Sequence, residues 1–299
     1  MTSPRANRRG MLAMVGSMAA YSVSDALTKL ASKTLPLGEV LAVRGLFTVL
    51  LIGSLLVLLG QIRYLRAAMT PLILGRSAFD AISSGCYVAA LIHMRIAEVA
   101  SVVMIAPLIL TALSVIFYSE NVGWRRWCAV ALGFVGVLFI VKPTPSAFNA
   151  WALVALVGTT LGASREILTR RIDTSMPTLV ITFVSVTLLT AVGCAIGATE
   201  NWRPIGWQEI AYLSVAACFY SGATYLTVLA FRDVIVSSVA PFRYTFLIFA
   251  SIAGYLVFRE LPDGWSVFGA GLIVASGLYA LHREVVRRRE LTATTPTAQ

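Results

Sequence analysis

The sequence predicts an all-α integral membrane protein, with ten transmembrane helices arranged as two inverted five-helix repeats around a central cavity. Three observations predict it: an oily, charge-poor composition, ten apolar runs of membrane-crossing length, and a register that aligns the two halves. Of 299 residues, 58% are hydrophobic and 13% charged, with a mean hydropathy of +0.81. Soluble domains carry about 25% charged residues. A water-soluble chain this size has no interior large enough for so much apolar surface. A cytosolic enzyme and a disordered chain are therefore excluded. Cys86, Cys128, Cys194 and Cys218 lie inside apolar runs, without metal-ligand or disulfide-framework spacing, and read as small hydrophobes.

A helix of about 20 apolar residues crosses the hydrocarbon. The first half offers Gly10–Leu30, Gly38–Gly60, Pro71–Ile92, Ala97–Tyr118 and Trp124–Val141. The second offers Ala150–Leu168, Thr178–Ala198, Trp207–Leu229, Ile235–Phe258 and Trp265–His282. Thr70 before Pro71 suits a helix start, the hydroxyl capping and the ring filling the first turn. Trp124, Trp127, Trp151, Trp202, Trp207 and Trp265 all lie at run ends or in gaps, as interfacial belts require. The expected organisation is a cytoplasmic arm at 1–9, a first repeat at 10–141, a second at 142–282, and a basic then disordered tail at 283–299.

The formal net charge of +10 invites a nucleic-acid reading. The charges, however, sit in short gaps between apolar runs, where they set topology instead. Of the 24 Lys and Arg, Arg44, Arg76, Arg165 and Arg243 lie within runs, and Lys29, Lys33, Arg95, Lys142, Arg203 and Arg259 lie in gaps on one face. The other fourteen share the face of the N-terminus, which puts both termini in the cytoplasm.

At an offset of 141, Asp25, Leu27, Thr28, Lys29 and Pro36 fall on Glu166, Leu168, Thr169, Arg170 and Pro177. Glu120, Trp124 and Gly136 meet Glu260, Trp265 and Gly277 with one residue of slip. The fourth run of each half carries an internal proline, Pro107 and Pro241. Five runs per half is odd, so the second half enters from the opposite face. Inverted repeats of this kind build alternating-access carriers.

These features resemble the drug/metabolite transporter superfamily in its EamA-type branch. The residues that carry the resemblance are Ala90-Leu91 and Glu120 to Gly136 in one half. In the other they are Ala240-Pro241-Phe242-Arg243-Tyr244 and Phe258-Arg259-Glu260 to Gly277. The resemblance covers about residues 10 to 282 and implies a multi-pass carrier of small metabolites in the bacterial inner membrane. Exporters of neutral and aromatic amino acids are the members it looks most like. The chain departs from the commonest pattern at Ala106-Pro107, which lacks an acid before the proline, so no role for that acid carries over.

Charged groups within the runs are the candidate site. Each costs at least about 2.5–3.5 kcal/mol at a helix centre, so it faces a cavity or a partner. At about 1.5 Å per residue, Asp80 lies roughly 13 Å, Arg243 about 12 Å and Arg44 about 9 Å into their runs. Arg165 and Glu166 lie near the cytoplasmic end and Asp25 near the outer end. Arg76, Asp80, Ser83 and Tyr87 share one helix face, as a polar wall or an internal ion pair. Arg243 and Arg44 have no acid at helical spacing. Each must find an acid on another helix, as in Arg243 with Asp80 or Arg44 with Asp25, or water, or a bound anionic group. Ser17, Tyr21, Ser24 and Thr28 form a line on the first run, and Tyr220, Thr224 and Thr227 on the eighth, as cavity lining or interhelical glue.

The candidate substrate-binding set is Tyr21, Arg44, Arg76, Asp80, Ser83, Tyr87, Tyr220, Thr224, Arg243 and Tyr244. In it an arginine takes a carboxylate, and Asp80 takes an ammonium or a proton. Asp25, Asp80, Glu166 and His93 are candidate proton carriers, and Pro107 and Pro241 candidate hinges. No HExxH, Walker loop or metal cluster occurs, so neither enzyme chemistry nor a cofactor is expected. The expected partners are a small-molecule substrate and membrane lipids, with no nucleic acid, for a monomer or a homodimer. The competing cargo is a cation: S-adenosylmethionine, a nucleoside, or a quaternary-ammonium or drug-like molecule.

Overall fold

The computed structural model describes residues 4–118, 124–141, 149–169, 171–173, 175–230 and 239–294. Glu120, Lys142, Arg170, Arg232 and the start of the ninth run lie outside the described residues. Every regular element among those described is helical. The first half contains α1 (Pro4–Ala31), α2 (Leu37–Leu58), a 3-10 turn (Gln61–Tyr64), α3 (Pro71–His93), α4 (Ile96–Val103), α5 (Ala106–Tyr118) and α6 (Trp124–Val141). The second contains α7 (Ala150–Thr169), α8 (Thr178–Gly197), α9 (Trp207–Ala230), a 3-10 turn (Ala240–Tyr244), α10 (Thr245–Phe258) and α11 (Gly264–Thr294).

Seven stretches among the described residues are long and apolar enough to cross a membrane: α2, α4 with α5, α7, α8, α9, α10 with its preceding turn, and α11. The helices α1 and α3 fall short because ionised groups dilute them, Arg8, Arg9, Asp25 and Lys29 in one and Arg76 and Asp80 in the other. In α6 only Trp127–Val141 is strongly apolar. All six tryptophans are at least 36% exposed, as side chains facing an interface rather than a core.

Local sequence accounts for the helix limits. Thr70 accepts the Ile73 amide at 3.4 Å, with Pro71 in the first turn of α3. The fourth run, expected as one helix, breaks between α4 and α5. Pro107 has no N–H to return to the Val103 carbonyl, and Val103 is where α4 ends. Pro241 sits in a 3-10 turn. At the C-terminal end the structure corrects the expectation. The last helix runs through Thr294 instead of stopping at His282, because 283–291 holds Arg, Glu, Val and Leu with no Gly or Pro to stop it.

Packing joins the N-terminal runs to the C-terminal ones, as α1 on α9, α2 on α8, α3 on α7 and α6 on α11. The α1–α9 seam is hydrogen-bonded along its length. Ser17 donates to the Ala223 carbonyl at 2.7 Å and lies 2.6 Å from the Thr227 hydroxyl, and Ser24 donates to the Ala216 carbonyl at 2.9 Å. The α6–α11 crossing depends on glycine. A Cβ on Gly136 would lie 2.7 Å from the Gly269 carbonyl, so no larger residue fits without moving a backbone.

Candidate functional site

A cavity of about 180 Å³ opens between α3, α7, the α4–α5 break and the 3-10 turn before α10. Its lining includes Asp80, Ser83 and Tyr87 of α3, Val103 and Ala106 at the break, Arg165 and Glu166 of α7, and Arg243. The helix break and the turn both sit beside proline, so the irregular backbone lies where it borders a cavity, as it must in lipid.

Its charges form a chain. Asp80 Oδ2 accepts Arg76 Nη1 at 2.9 Å, and Asp80 Oδ1 accepts Arg165 Nη1 at 2.6 Å. Arg76 also donates from Nη1 to the Ser185 hydroxyl of α8 at 2.6 Å and from Nε to the Thr169 hydroxyl at 3.2 Å. Arg165 Nη2 lies 3.7 Å from Glu166 Oε1, a looser contact. The Arg76–Asp80 pair expected from i,i+4 spacing is present, but Asp80 does double duty. Each of its oxygens already accepts an arginine N–H.

Arg243 differs. It faces the same cavity and, among the described residues, has no hydrogen-bonded or ion-paired partner. The pairing with Asp80 that spacing left open is taken by Arg165. Arg44 likewise forms no ion pair with Asp25. Its Nη1 donates to the Thr28 hydroxyl at 3.2 Å, and its guanidinium lies over the Tyr220 ring, 5.5 Å from the centroid. Asp25 instead accepts the Tyr87 hydroxyl at Oδ2.

Several expected site residues do not line this cavity. Tyr21 lies in the α1–α9 seam, 3.1 Å from the Thr224 hydroxyl and edge-on to Tyr220 at 5.8 Å. Tyr244 is turned toward α11, where its hydroxyl fills the space above Gly277. Successive side chains on a 3-10 helix point about 120° apart. With Arg243 toward the cavity, Tyr244 must point elsewhere. Ser83 borders the cavity but donates to the Gly158 carbonyl at 2.7 Å. His93 is stacked on Trp151, ring centroids 3.7 Å apart.

A second charged cluster was not legible as a site. Lys29 Nζ meets Glu260 Oε1 at 2.7 Å and the Met94 carbonyl at 2.6 Å. Arg95 bridges Glu98 at 3.3 Å and Asp263 at 3.5 Å, and Ser266 donates to both acids. From the sequence, Lys29 counted only toward topology and the repeat register, and Arg95 only toward topology. Glu39 and Glu98 went unnoticed as acids within runs, yet Glu39 is fully buried and Glu98 nearly so. Their signal was position, since each sits in the first turn of a helix, where the N-terminal dipole favours a negative charge.

A chain whose described residues form only helices, with seven membrane-length apolar stretches and a charged cavity among them, is a multi-pass membrane protein. The EamA-like transporter family matches it twice, over residues 8–142 and 149–281, and the chain belongs to that family. An S-adenosylmethionine uptake transporter of Rickettsia bellii (strain RML369-C) is 30% identical over 178 residues, or 60% of this chain, which thereby spans 61% of that relative's length. A pseudopaline exporter of Pseudomonas aeruginosa (strain UCBPP-PA14) is 27% identical over 90% of this chain and 94% of its own. A riboflavin transporter of Rhizobium johnstonii (strain DSM 114642 / LMG 32736 / 3841) is 26% identical over 73% and 72% respectively. A solved crystal structure covers 94% of this chain and 98% of its own with a TM-score of 0.54 at 19% identity, which speaks to the fold alone.

Proposed function

We propose that this chain is a secondary carrier that moves a small metabolite with an amino-acid headgroup across the bacterial inner membrane, alternating access between two inverted halves. The observation that carries the cargo reading is Arg243, on the cavity lining with no hydrogen-bonded or ion-paired partner among the described residues. An unmatched cation within a membrane protein is costly, and a cargo carboxylate offsets that cost. With Asp80 bridged on both oxygens, the loosely held acid on the lining is Glu166. Glu166 is therefore the freer of the two acids for a cargo ammonium.

The two-half reading draws support from the doubled family match and from the packing. Exchanging the halves turns the α1–α9 pair into α7–α3, and turns α3–α8 into α9–α2, and all four pairs occur. Neutral and aromatic amino acids are the smallest cargoes with the required headgroup, and the outward direction follows the resemblance to exporters. A cavity of 180 Å³ is smaller than the roughly 300–1,000 Å³ that encloses a drug-sized ligand, which favours them. The second reading is S-adenosylmethionine, favoured by the name of the Rickettsia relative. It carries the same headgroup, so Arg243 and Glu166 serve it equally.

Purified protein in liposomes, offered labelled leucine, phenylalanine, S-adenosylmethionine and riboflavin, tests the proposal. Flux of an amino acid or of S-adenosylmethionine, lost in Arg243→Ala, is expected. Background flux for all four, or riboflavin flux alone, rejects it.

A further inference from the structure

Resting on the carrier reading, we propose that Asp25, gripped by the Tyr87 hydroxyl, is the proton-binding carboxyl that couples cargo movement to a proton gradient. Asp80 is bridged by two arginines and Glu166 touches one. Glu39 accepts the Arg203 amide at 3.2 Å and lies in the first turn of α2, where the helix end favours its charge. Asp25 lies within the last two turns of α1, away from any helix N-terminus, is 5% exposed, and has no cation within ion-pair distance among the described residues. A lone carboxylate buried in that way is expensive unless it takes up a proton.

Its surroundings fit that role. Tyr87 reaches it from α3 and donates to Oδ2. Arg44 of α2 acts on it only through space, being bonded to Thr28 and set over Tyr220 of α9. Lys29, one turn further along α1, is engaged by Glu260 and Met94. Neither α9 nor α10 contributes a further charged group that acts on Asp25 among the described residues.

Tyr87 supplies the link to cargo, because the residue that holds Asp25 is also among those that line the cavity. A hydrogen bond to an ionised acceptor is about twice as strong as one to a neutral acceptor. When Asp25 takes a proton from water on one side of the membrane, its hold on Tyr87 weakens, and the phenol is released toward the cavity. When the proton leaves to the other side, the carboxylate recaptures it. One proton is bound and released per cycle, and no covalent bond changes.

Two measurements test this. Infrared difference spectra of the purified protein, titrated through neutral pH without cargo, should contain a protonated-carboxyl band that disappears in Asp25→Asn. Liposomes loaded with a pH-sensitive dye should report proton movement accompanying labelled phenylalanine or S-adenosylmethionine, lost in Asp25→Asn while exchange of labelled for unlabelled cargo persists. Tyr87→Phe, which keeps the acid, should retain the infrared band and shift the pH at which it titrates. A band that survives Asp25→Asn overturns the proposal, as does wild-type cargo flux without proton movement. In the latter case the carrier reading stands. Absence of all cargo flux rejects the carrier reading, and the infrared band then still decides whether Asp25 binds a proton.

Discussion

Lys29 and Glu260, 231 residues apart in the chain, meet at 2.7 Å and tie the end of α1 to the end of α10. The pair is mostly withdrawn from solvent, with side chains 10% and 25% exposed. Around it the Glu260 Oε2 accepts the Ile96 amide at 3.4 Å, and the Lys29 and Lys33 ammoniums lie about 5 Å from the Phe258 ring centroid. Lipid-exposed packing alone does not account for such a knot. It joins the first half to the second at the expected outer face, which is where a carrier closed to the outside needs a latch.

Charge exchange tests the latch. Removing one partner of a largely buried ion pair costs up to about 3–5 kcal/mol, and partial exposure puts this pair at the lower end. Lys29→Glu and Glu260→Lys are each expected to lose transport in liposomes, and the double variant to recover it. If the double variant is as inactive as the singles, the two residues do not act as a pair.

The repeat register extends that prediction. Lys29 aligns with Arg170 and Glu260 with Glu120, both outside the described residues. For a carrier of two inverted halves, the register predicts that these two residues act at the end opposite to Lys29 and Glu260. Arg170→Glu combined with Glu120→Arg should therefore transport better than either single variant. Simple additivity between the two singles would argue against a latch there.

Arg243 and Asp80 are expected to separate function from stability. Arg243→Ala removes a charge with no hydrogen-bonded or ion-paired partner among the described residues, so thermal unfolding in detergent should barely change. Losing its contact with a cargo carboxylate, worth about 1.5–3 kcal/mol, should raise the half-saturating cargo concentration at least tenfold. Asp80→Ala leaves Arg76 and Arg165 facing each other without their shared acid. It should destabilise the protein by about 3–5 kcal/mol, read as a large fall in unfolding temperature.

The contrast between these two residues marks where sequence reasoning ended. Helix spacing found the Arg76–Asp80 pair, and Thr70-Pro71 announced the start of α3, because both are relationships within one turn or so of helix. The second partner of Asp80 is 85 residues away, and no local pattern reports it. The polar lines on α1 and α9 were each visible, but not that Tyr21 and Thr224 face one another. Helical periodicity gives a face, not the neighbour of that face. Tyr244 was misassigned for a different reason. It was chosen as an aromatic wall residue beside Arg243, but adjacent residues on a helix point about 100–120° apart, and its hydroxyl lies at Gly277 instead.

Arg259 offers a test of backbone strain at the end of α10. Its φ is 56°, in the left-handed region, the one non-glycine residue there among those described. For a residue with a Cβ that conformation costs about 1–2 kcal/mol. The turn it makes is needed, since it brings the Glu260 amide to the Gly254 carbonyl at 3.1 Å and aims the Glu260 carboxylate at Lys29. The guanidinium recovers part of the cost by lying over the Tyr255 ring at 5.5 Å, an exposed contact worth about 0.5–1 kcal/mol. Arg259→Gly removes both terms and should leave a net gain of up to about 1 kcal/mol in stability. Arg259→Ala loses the ring contact and keeps the strain, so it should be less stable than either. The order Gly above Arg above Ala in unfolding temperature is the expected result, and an Ala variant equal to Gly would mean that the turn carries no strain.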